Sequence, residues 1–342
     1  MPPPRIRDAD IVFTLDDPAR ELAGVRLVQE LVRPRLGPPL RRRGTRWTVA
    51  FPRLAVDRME YQLALQRPDG SSEFVCDPAN PLRSAGPFGD KSVVELPAYR
   101  PPGWLLVDSP AGTLERLDIR RSLETLVWTS DGADPDAELP LLVVHDGPEV
   151  ARFALLPRYL ASLVAEGRLP PHRAALLQPP GDRNQSYSAS GVYLRTLMQE
   201  LLPALPLPAE RRLVVGMGAS LGALAAFHAH RRRPDIFGGL FLQSGSFFRS
   251  DDEYERNFVR FGRITRFVEA VHAGRLPGSP VPVVLTCGSV EENLGGNRAL
   301  RDTLARERYP VELHEVRDAH NWVAWRDGFE PQLGGLLARL WT

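Results

Sequence analysis

The residues best suited to covalent chemistry lie in the run Val214-Val215-Gly216-Met217-Gly218-Ala219-Ser220-Leu221-Gly222-Ala223-Leu224. Gly218, Ser220 and Gly222 form a Gly-x-Ser-x-Gly pattern. An apolar run precedes it, and the small residues Ala223-Leu224-Ala225-Ala226 follow. Read as strand, turn and helix, this is a nucleophile elbow. The turn is so tight that the residues two away from the serine must be small. The hydroxyl then projects at the carboxyl end of a sheet, beside a helix N-terminus.

A serine nucleophile needs a base, and the base needs an acid to orient it. On such a scaffold the chain order is serine, acid, histidine. Five histidines follow Ser220: His228, His230, His272, His314 and His320. His228 and His230 sit two apart in the helix after the elbow, so they point in different directions. His272 ends a helix, and His314 lies within a strand. His320 lies in Val316-Arg317-Asp318-Ala319-His320-Asn321-Trp322, after the last strand and before the last helix. That is where the base must sit. The acid should follow the strand at 281–287, where Glu291 and Glu292 both stand. Asp318 is a third carboxylate, only two residues before the base. Glu291 is preferred over Glu292.

The oxyanion of an acyl transfer needs two backbone N–H donors. Leu221, just after the nucleophile, supplies one. The other is expected in His145-Asp146-Gly147-Pro148-Glu149. Pro148 has no N–H, which leaves Gly147 or Glu149, with Gly147 taken as the candidate. Arg183, in Gly181-Asp182-Arg183-Asn184-Gln185, belongs to the same sheet edge. Its planar fork suits either an anionic or carbonyl-rich substrate, or bracing of the Asp146-Gly147 loop.

The elements that must position these groups follow from pattern. After about residue 112, apolar runs alternate with helical stretches. Strands are expected at 125–129, 141–145, 174–177, 213–215, 240–242 and 281–285. Helices are expected near 150–166, 190–202, 221–232, 256–272, 298–308 and 322–340. Buried apolar strands alternating with helices imply an α/β fold with a mostly parallel, doubly wound sheet covered on both faces. The first third reads as β, with short runs at 11–15, 25–28, 47–51, 61–66 and 73–76. Pro68-Asp69-Gly70 makes a turn between the last two of these. This suggests a smaller all-β sandwich. The stretch from Asp77 to about Pro102 is rich in proline and reads as a wrapping linker. The expected domains are therefore 1–102 and 103–342.

From about Gly112 onward the chain resembles the enterochelin esterase-like (Fes-like) branch of the α/β-hydrolase esterases. The residues that carry the resemblance are Leu142-Val143-Val144-His145-Asp146-Gly147, Asp182-Arg183-x-x-x-Tyr187, Gly218-x-Ser220-x-Gly222, Leu242-Gln243-Ser244-Gly245-Ser246, Gly288-x-x-Glu291 and His320-x-Trp322-x-x-Trp325-Arg326. The first third resembles the immunoglobulin-like, early-set N-terminal domain of such esterases. Asp77-Pro78-x-Asn80-Pro81 followed by Ser92 fits that junction. The sequence departs from the family at Ser186, where a Glu is frequent, and at Asp318-Ala319, where Gly-Gly is frequent. The resemblance implies an α/β-hydrolase catalytic domain with Ser220, Glu291 and His320 as its triad. It also places Arg183 and Trp322 on the substrate side, and implies an ester of the siderophore type as substrate.

Composition removes several classes. The 342 residues carry 43 Lys+Arg against 42 Asp+Glu, a formal net charge of +1. That balance argues against a general nucleic-acid or anionic-membrane binder. Lys91 is the only lysine. No apolar run nears the roughly 18 residues of a membrane span. Met1-Pro2-Pro3-Pro4-Arg5-Ile6-Arg7 lacks the apolar core of a secretory signal. Cys76 and Cys287 lie far apart and cannot form a disulfide framework or zinc cluster, so a cytoplasmic compartment is expected. The expected activity is serine esterase chemistry on a small-molecule ester, needing no metal and no cofactor. Two other readings remain. One is an acyltransferase, in which an acceptor alcohol replaces water. The other is a catalytically silent protein binding a glycan or peptide through its sandwich. The order Ser220, Glu291, His320 argues against the last.

Overall fold

A computed structural model describes residues 3–119, 123–134, 136–276 and 278–342. The chain divides into two compact units. The first is residues 1–100 with the segments Gly288–Glu291 and Arg317–Ala324, and the second is the remainder.

The first unit is built on ten strands: β1 (Arg5–Ile6), β2 (Asp10–Asp16), β3 (Gly24–Gln29), β4 (Leu36–Pro39), β5 (Arg41–Arg43), β6 (Arg46–Pro52), β7 (Arg58–Gln66), β8 (Ser72–Val75), β9 (Arg83–Ser84) and β10 (Lys91–Glu95). One sheet has the order β1-β2-β6-β5, the other β4-β3-β7-β10-β9 with β8 also on β7. The strand pairs are antiparallel. Alternation decides what lies inside. Ile11, Phe13 and Leu15 of β2 share a core with Val25 and Leu27 of β3 and with Met59, Tyr61 and Leu63 of β7. Phe13 meets the Tyr61 ring edge-on at 4.7 Å. The Tyr61 hydroxyl donates to Asp77 at 2.7 Å. Asn80 donates to that hydroxyl and to the Val93 carbonyl, and the Asp77 N–H donates to Ser92 Oγ. Asp77 and Asn80 of the Asp77-Pro78-x-Asn80-Pro81 run thus form a buried polar clasp.

One expectation is corrected here. The stretch read as a linker contributes two strands, and β10 lies between β7 and β9 inside a sheet. Its prolines fall at 78, 81, 87, 97, 101 and 102, outside Lys91–Glu95, whose Val93-Val94 pair suits a half-buried strand.

The second unit carries an eight-stranded sheet, although Gly288 and residues 322–324, at the ends of two of its elements, belong to the first unit. Its elements in chain order are β11 (Thr113–Ile119), β12 (Leu123–Thr129), β13 (Leu141–His145), α1 (Gly147–Phe153), α2 (Leu156–Ala165), β14 (Arg173–Leu177), α3 (Arg183–Tyr187), α4 (Gly191–Thr196), α5 (Leu202–Ala204), β15 (Val214–Ala219), α6 (Leu221–Arg232), β16 (Gly239–Gln243), α7 (Phe261–His272), β17 (Val283–Gly288), α8 (Leu294–Arg306), β18 (Val311–Val316), α9 (Trp322–Asp327) and α10 (Gln332–Trp341). The order is β11-β12-β14-β13-β15-β16-β17-β18. β11 and β12 are antiparallel additions at one edge. The pairs from β14 to β17 are parallel. Every residue of β13, β14, β15, β16 and β17 is buried, as a sheet with both faces covered requires.

The helices differ from expectation at their ends. The helix expected near 322–340 is split into α9 and α10, with Pro331 as the cap of the second, because proline cannot continue a helix interior. β11 escaped the sequence reading because it sits at the sheet edge, with Glu115 and Arg116 exposed.

Candidate active site

Ser220 stands between β15 and α6 with φ 56° and ψ −122°, a strained conformation for a residue with a side chain. Close packing enforces it. A Cβ on Gly218 would come within 2.3 Å of the Gly222 backbone. A Cβ on Gly222 would press on Asp146 and His145. The Ser220 N–H donates to the Gln243 carbonyl at 2.8 Å, and the Ser246 N–H donates to the Ser220 carbonyl. Leu221 opens α6, where the first amides have no acceptor within the helix. Its N–H therefore lies beside the serine at the positive end of the helix.

Ser246 ends the Leu242-Gln243-Ser244-Gly245-Ser246 run after β16. Its hydroxyl oxygen is 3.3 Å from Ser220 Oγ. The turn that carries it is firmly held. Ser244, at φ 46°, accepts from Trp325 Nε1 at 3.0 Å and from Asn293 through its carbonyl. Asn297 both accepts from the Gly245 N–H and donates to the Gly245 carbonyl.

The β13 end is equally constrained. Asp146 has φ 56° and caps α1, and Gly147 is its first residue. A Cβ on Gly147 would stand 2.2 Å from Leu176 Cα, so glycine is needed for the loop to lie on β14. Gly147 and Glu149 both fall in the first turn of α1, where amides are unpaired within the helix. Arg183 grips Asp146 with a two-pronged bond, Nε to Oδ1 at 2.7 Å and Nη2 to Oδ2 at 2.6 Å. Of the two roles expected for Arg183, the geometry displays the bracing one. His145, fully buried, has its pKa lowered to about 4 by burial and stays neutral.

In the first unit, His320 Nδ1 donates to Glu291 Oε2 at 2.7 Å. The carboxylate is 1% exposed and the imidazole 26%. The other carboxylate oxygen accepts the Gly288 N–H at 2.7 Å. Burial opposes the charged imidazole, but the Glu291 charge and hydrogen bond outweigh it. The His320 pKa is raised above 6.5. Glu292 instead lines a small cleft with Phe247, Phe248 and Tyr254. Asp318 accepts from the Ala319 N–H and from Asn321. Trp322 is half-buried and opens α9.

The other downstream histidines serve packing or pairing. His228 is buried edge-on against Phe267 at 4.9 Å. His230 meets the Tyr309 hydroxyl at 3.0 Å, His272 meets Thr303 at 2.7 Å and His314 meets Glu312 at 3.2 Å.

A mostly parallel sheet with its serine on a strained strand–helix elbow defines an α/β-hydrolase fold. The family model described as "Putative esterase" matches residues 129–336, and the chain belongs to that esterase family. The iron(III) enterobactin esterase of Escherichia coli O6:H1 is 27% identical over 269 residues, covering 75% of this chain and 66% of the relative. The match thus spans just under two thirds of that relative's length. Among solved structures, the enterobactin esterase FES from Shigella flexneri in the presence of enterobactin superposes with a TM-score of 0.77 at 22% identity, covering 98% of this chain and 94% of that one. The ferric enterobactin esterase of Salmonella typhimurium gives 0.78 at 21% identity, with 98% and 95% covered. These structures share the fold. Among the described residues, no helix is long and apolar enough to cross a membrane.

Proposed function

We propose that this protein is a serine esterase that hydrolyses a carboxylic ester through an acyl-enzyme. Ser220 is the nucleophile, His320 the general base and then acid, and Glu291 the residue that orients the imidazole. The Ser220 hydroxyl attacks the ester carbonyl as His320 Nε2 takes its proton. The Glu291 carboxylate holds the proton on Nδ1 and stabilises the imidazolium. The Leu221 and Gly147 amides receive the oxyanion. On collapse, His320 returns the proton to the leaving alkoxide. Water then enters by the same route and releases the acid. No step needs a metal or cofactor.

The observation that carries this reading is Ser220 at positive φ on the elbow, a conformation stable only because its surroundings enforce it. The substrate class is a siderophore ester of the enterochelin type, a reading supported by relatives named iron(III) enterobactin esterase, handled in the cytoplasm. Arg183 and Trp322 are its binding residues, with the first unit as an immunoglobulin-like domain.

The test is a panel of activated acyl esters of graded chain length beside ferric and iron-free catecholate trilactones. Wild type turns over at least one of these. Ser220→Ala loses activity by several orders of magnitude while keeping its circular dichroism spectrum. Near-normal turnover by folded Ser220→Ala overturns the reading.

A further inference from the structure

His320 sits between two residues that are tied down, and the ties lead to one strand. The Asp57 N–H, just before β7, donates to the Arg317 carbonyl at 2.7 Å. The Arg317 side chain returns a bond to the Asp57 carboxylate at 2.9 Å. One residue on, Arg58 is 3% exposed and donates from one nitrogen to Glu60 at 2.8 Å. The same nitrogen lies 3.4 Å from Asn321 Oδ1. Asn321 caps α9 by accepting the Ala324 N–H, and it donates to Asp318. Asp318 also accepts the Ala319 N–H, and Ala319 is buried in the same apolar core as Met59 and Tyr61. The loop Arg317–Ala324 is therefore held before, at and after the histidine.

We propose that Arg58 is a positioning residue for His320, acting through Asn321 and Asp318 to fix the loop that aims the imidazole at Glu291. This rests on the reading of His320 as the base. Arg58 touches neither substrate nor the reacting atoms, so its role is orientation. A buried guanidinium beside two buried carboxylates is costly unless every donor and acceptor is used. The bonds to Glu60 and Asn321 use it to hold a cap and a loop rather than to add stability alone. Burial pushes the Asp318 carboxyl up to about 7, and Arg58 is the charge working against that rise. Loss of Arg58 thus weakens the loop at both Asn321 and Asp318.

The experiment compares Arg58→Met, Arg58→Met/Glu60→Gln, Arg58→Lys, His320→Ala and Arg67→Ala. The double variant removes the Glu60 charge along with its Arg58 partner, and circular dichroism confirms that the fold survives before kinetics are compared. Arg67→Ala disturbs an exposed pair beyond the far end of β7 and serves as control. Two readouts are taken: kcat and KM on an activated ester, and the downfield proton resonance of the imidazole Nδ1–H bonded to Glu291. The folded double variant should lose about 100-fold in kcat with little change in KM. Its downfield resonance should shift or vanish, and Arg58→Lys should recover part of both. Wild-type kcat and resonance in the double variant, with His320→Ala inactive, overturn this proposal alone. Activity retained by His320→Ala overturns the assignment of the base on which it rests.

Discussion

Replacing Glu291 by Gln tests the acid in a way the structure makes unusually specific. One carboxylate oxygen is already committed to the Gly288 N–H at 2.7 Å, the other to His320 Nδ1 at 2.7 Å. In Glu291→Gln the carboxamide keeps the same shape. Only its oxygen can accept from Gly288, which turns the NH2 toward the imidazole. Nδ1 must then accept rather than donate, and the ring proton moves to Nε2. That tautomer cannot take a proton from Ser220. A wrong-tautomer change in a serine triad costs about 10⁴ in kcat, or about 5 kcal/mol of barrier. The expected loss is therefore about 10³- to 10⁴-fold in kcat, with KM little changed, by steady-state hydrolysis of a p-nitrophenyl ester. The base must be neutral to act, so the acid limb of wild-type kcat/KM lies above pH 6.5 and moves down in Glu291→Gln. Stability follows the same linkage. A raised folded pKa stabilises fully below the unfolded value of 6.5, and that contribution fades as pH rises through the folded value. The wild-type advantage in Tm over Glu291→Gln should be larger just below pH 6.5 than in alkali. A greater loss of kcat in Glu292→Gln than in Glu291→Gln refutes the reasoning.

Ser246→Ala removes the hydroxyl beside Ser220 Oγ and should lower kcat about 3- to 10-fold, the worth of one net hydrogen bond; an unchanged kcat assigns Ser246 to packing. Arg183→Ala leaves the buried Asp146 carboxylate unpaired and should cost about 1–3 kcal/mol in urea unfolding. Arg183→Lys should fail to restore it, because an ammonium cannot make the two-pronged bond. If Arg183 also binds substrate, KM rises more for anionic than for neutral esters; equal changes leave only bracing. Gly147→Ala drives a methyl into the Leu176 backbone and should cost about 1–3 kcal/mol with a fall in kcat; a wild-type Tm and kcat contradict the close packing.

Much of the second unit can be read from local pattern. Each strand from β13 to β17 is a short apolar run between helical stretches, and burial of all its residues makes that run continuous. The elbow is legible because its glycines, strand and helix are contiguous in the chain. What local pattern missed depends on pairing at a distance. β11 carries the adjacent charges Glu115 and Arg116 and lies at an edge with 113–116 exposed, so it lacked the buried signature of its neighbours. β9 and β10 were hidden by flanking prolines, although Lys91–Glu95 contains none. Ser246 lies 26 residues from Ser220, and Arg58 lies 263 from Asn321. Nothing at either position marks it in isolation. Arg183 against the Asp146-Gly147 loop was legible as one of its two roles, because both follow strands of one sheet edge; the two-pronged bond to Asp146 itself needed the structure.

The central claim is that Ser220 carries the acyl group. The most direct measurement is intact-protein mass spectrometry after reaction with a fluorophosphonate, followed by peptide mapping. The account requires one added phosphonyl group, located on the peptide containing Ser220 and absent from Ser220→Ala. It also requires labelling to slow sharply in His320→Ala. A label on another residue, or equal labelling of the Ser220→Ala protein, contradicts it.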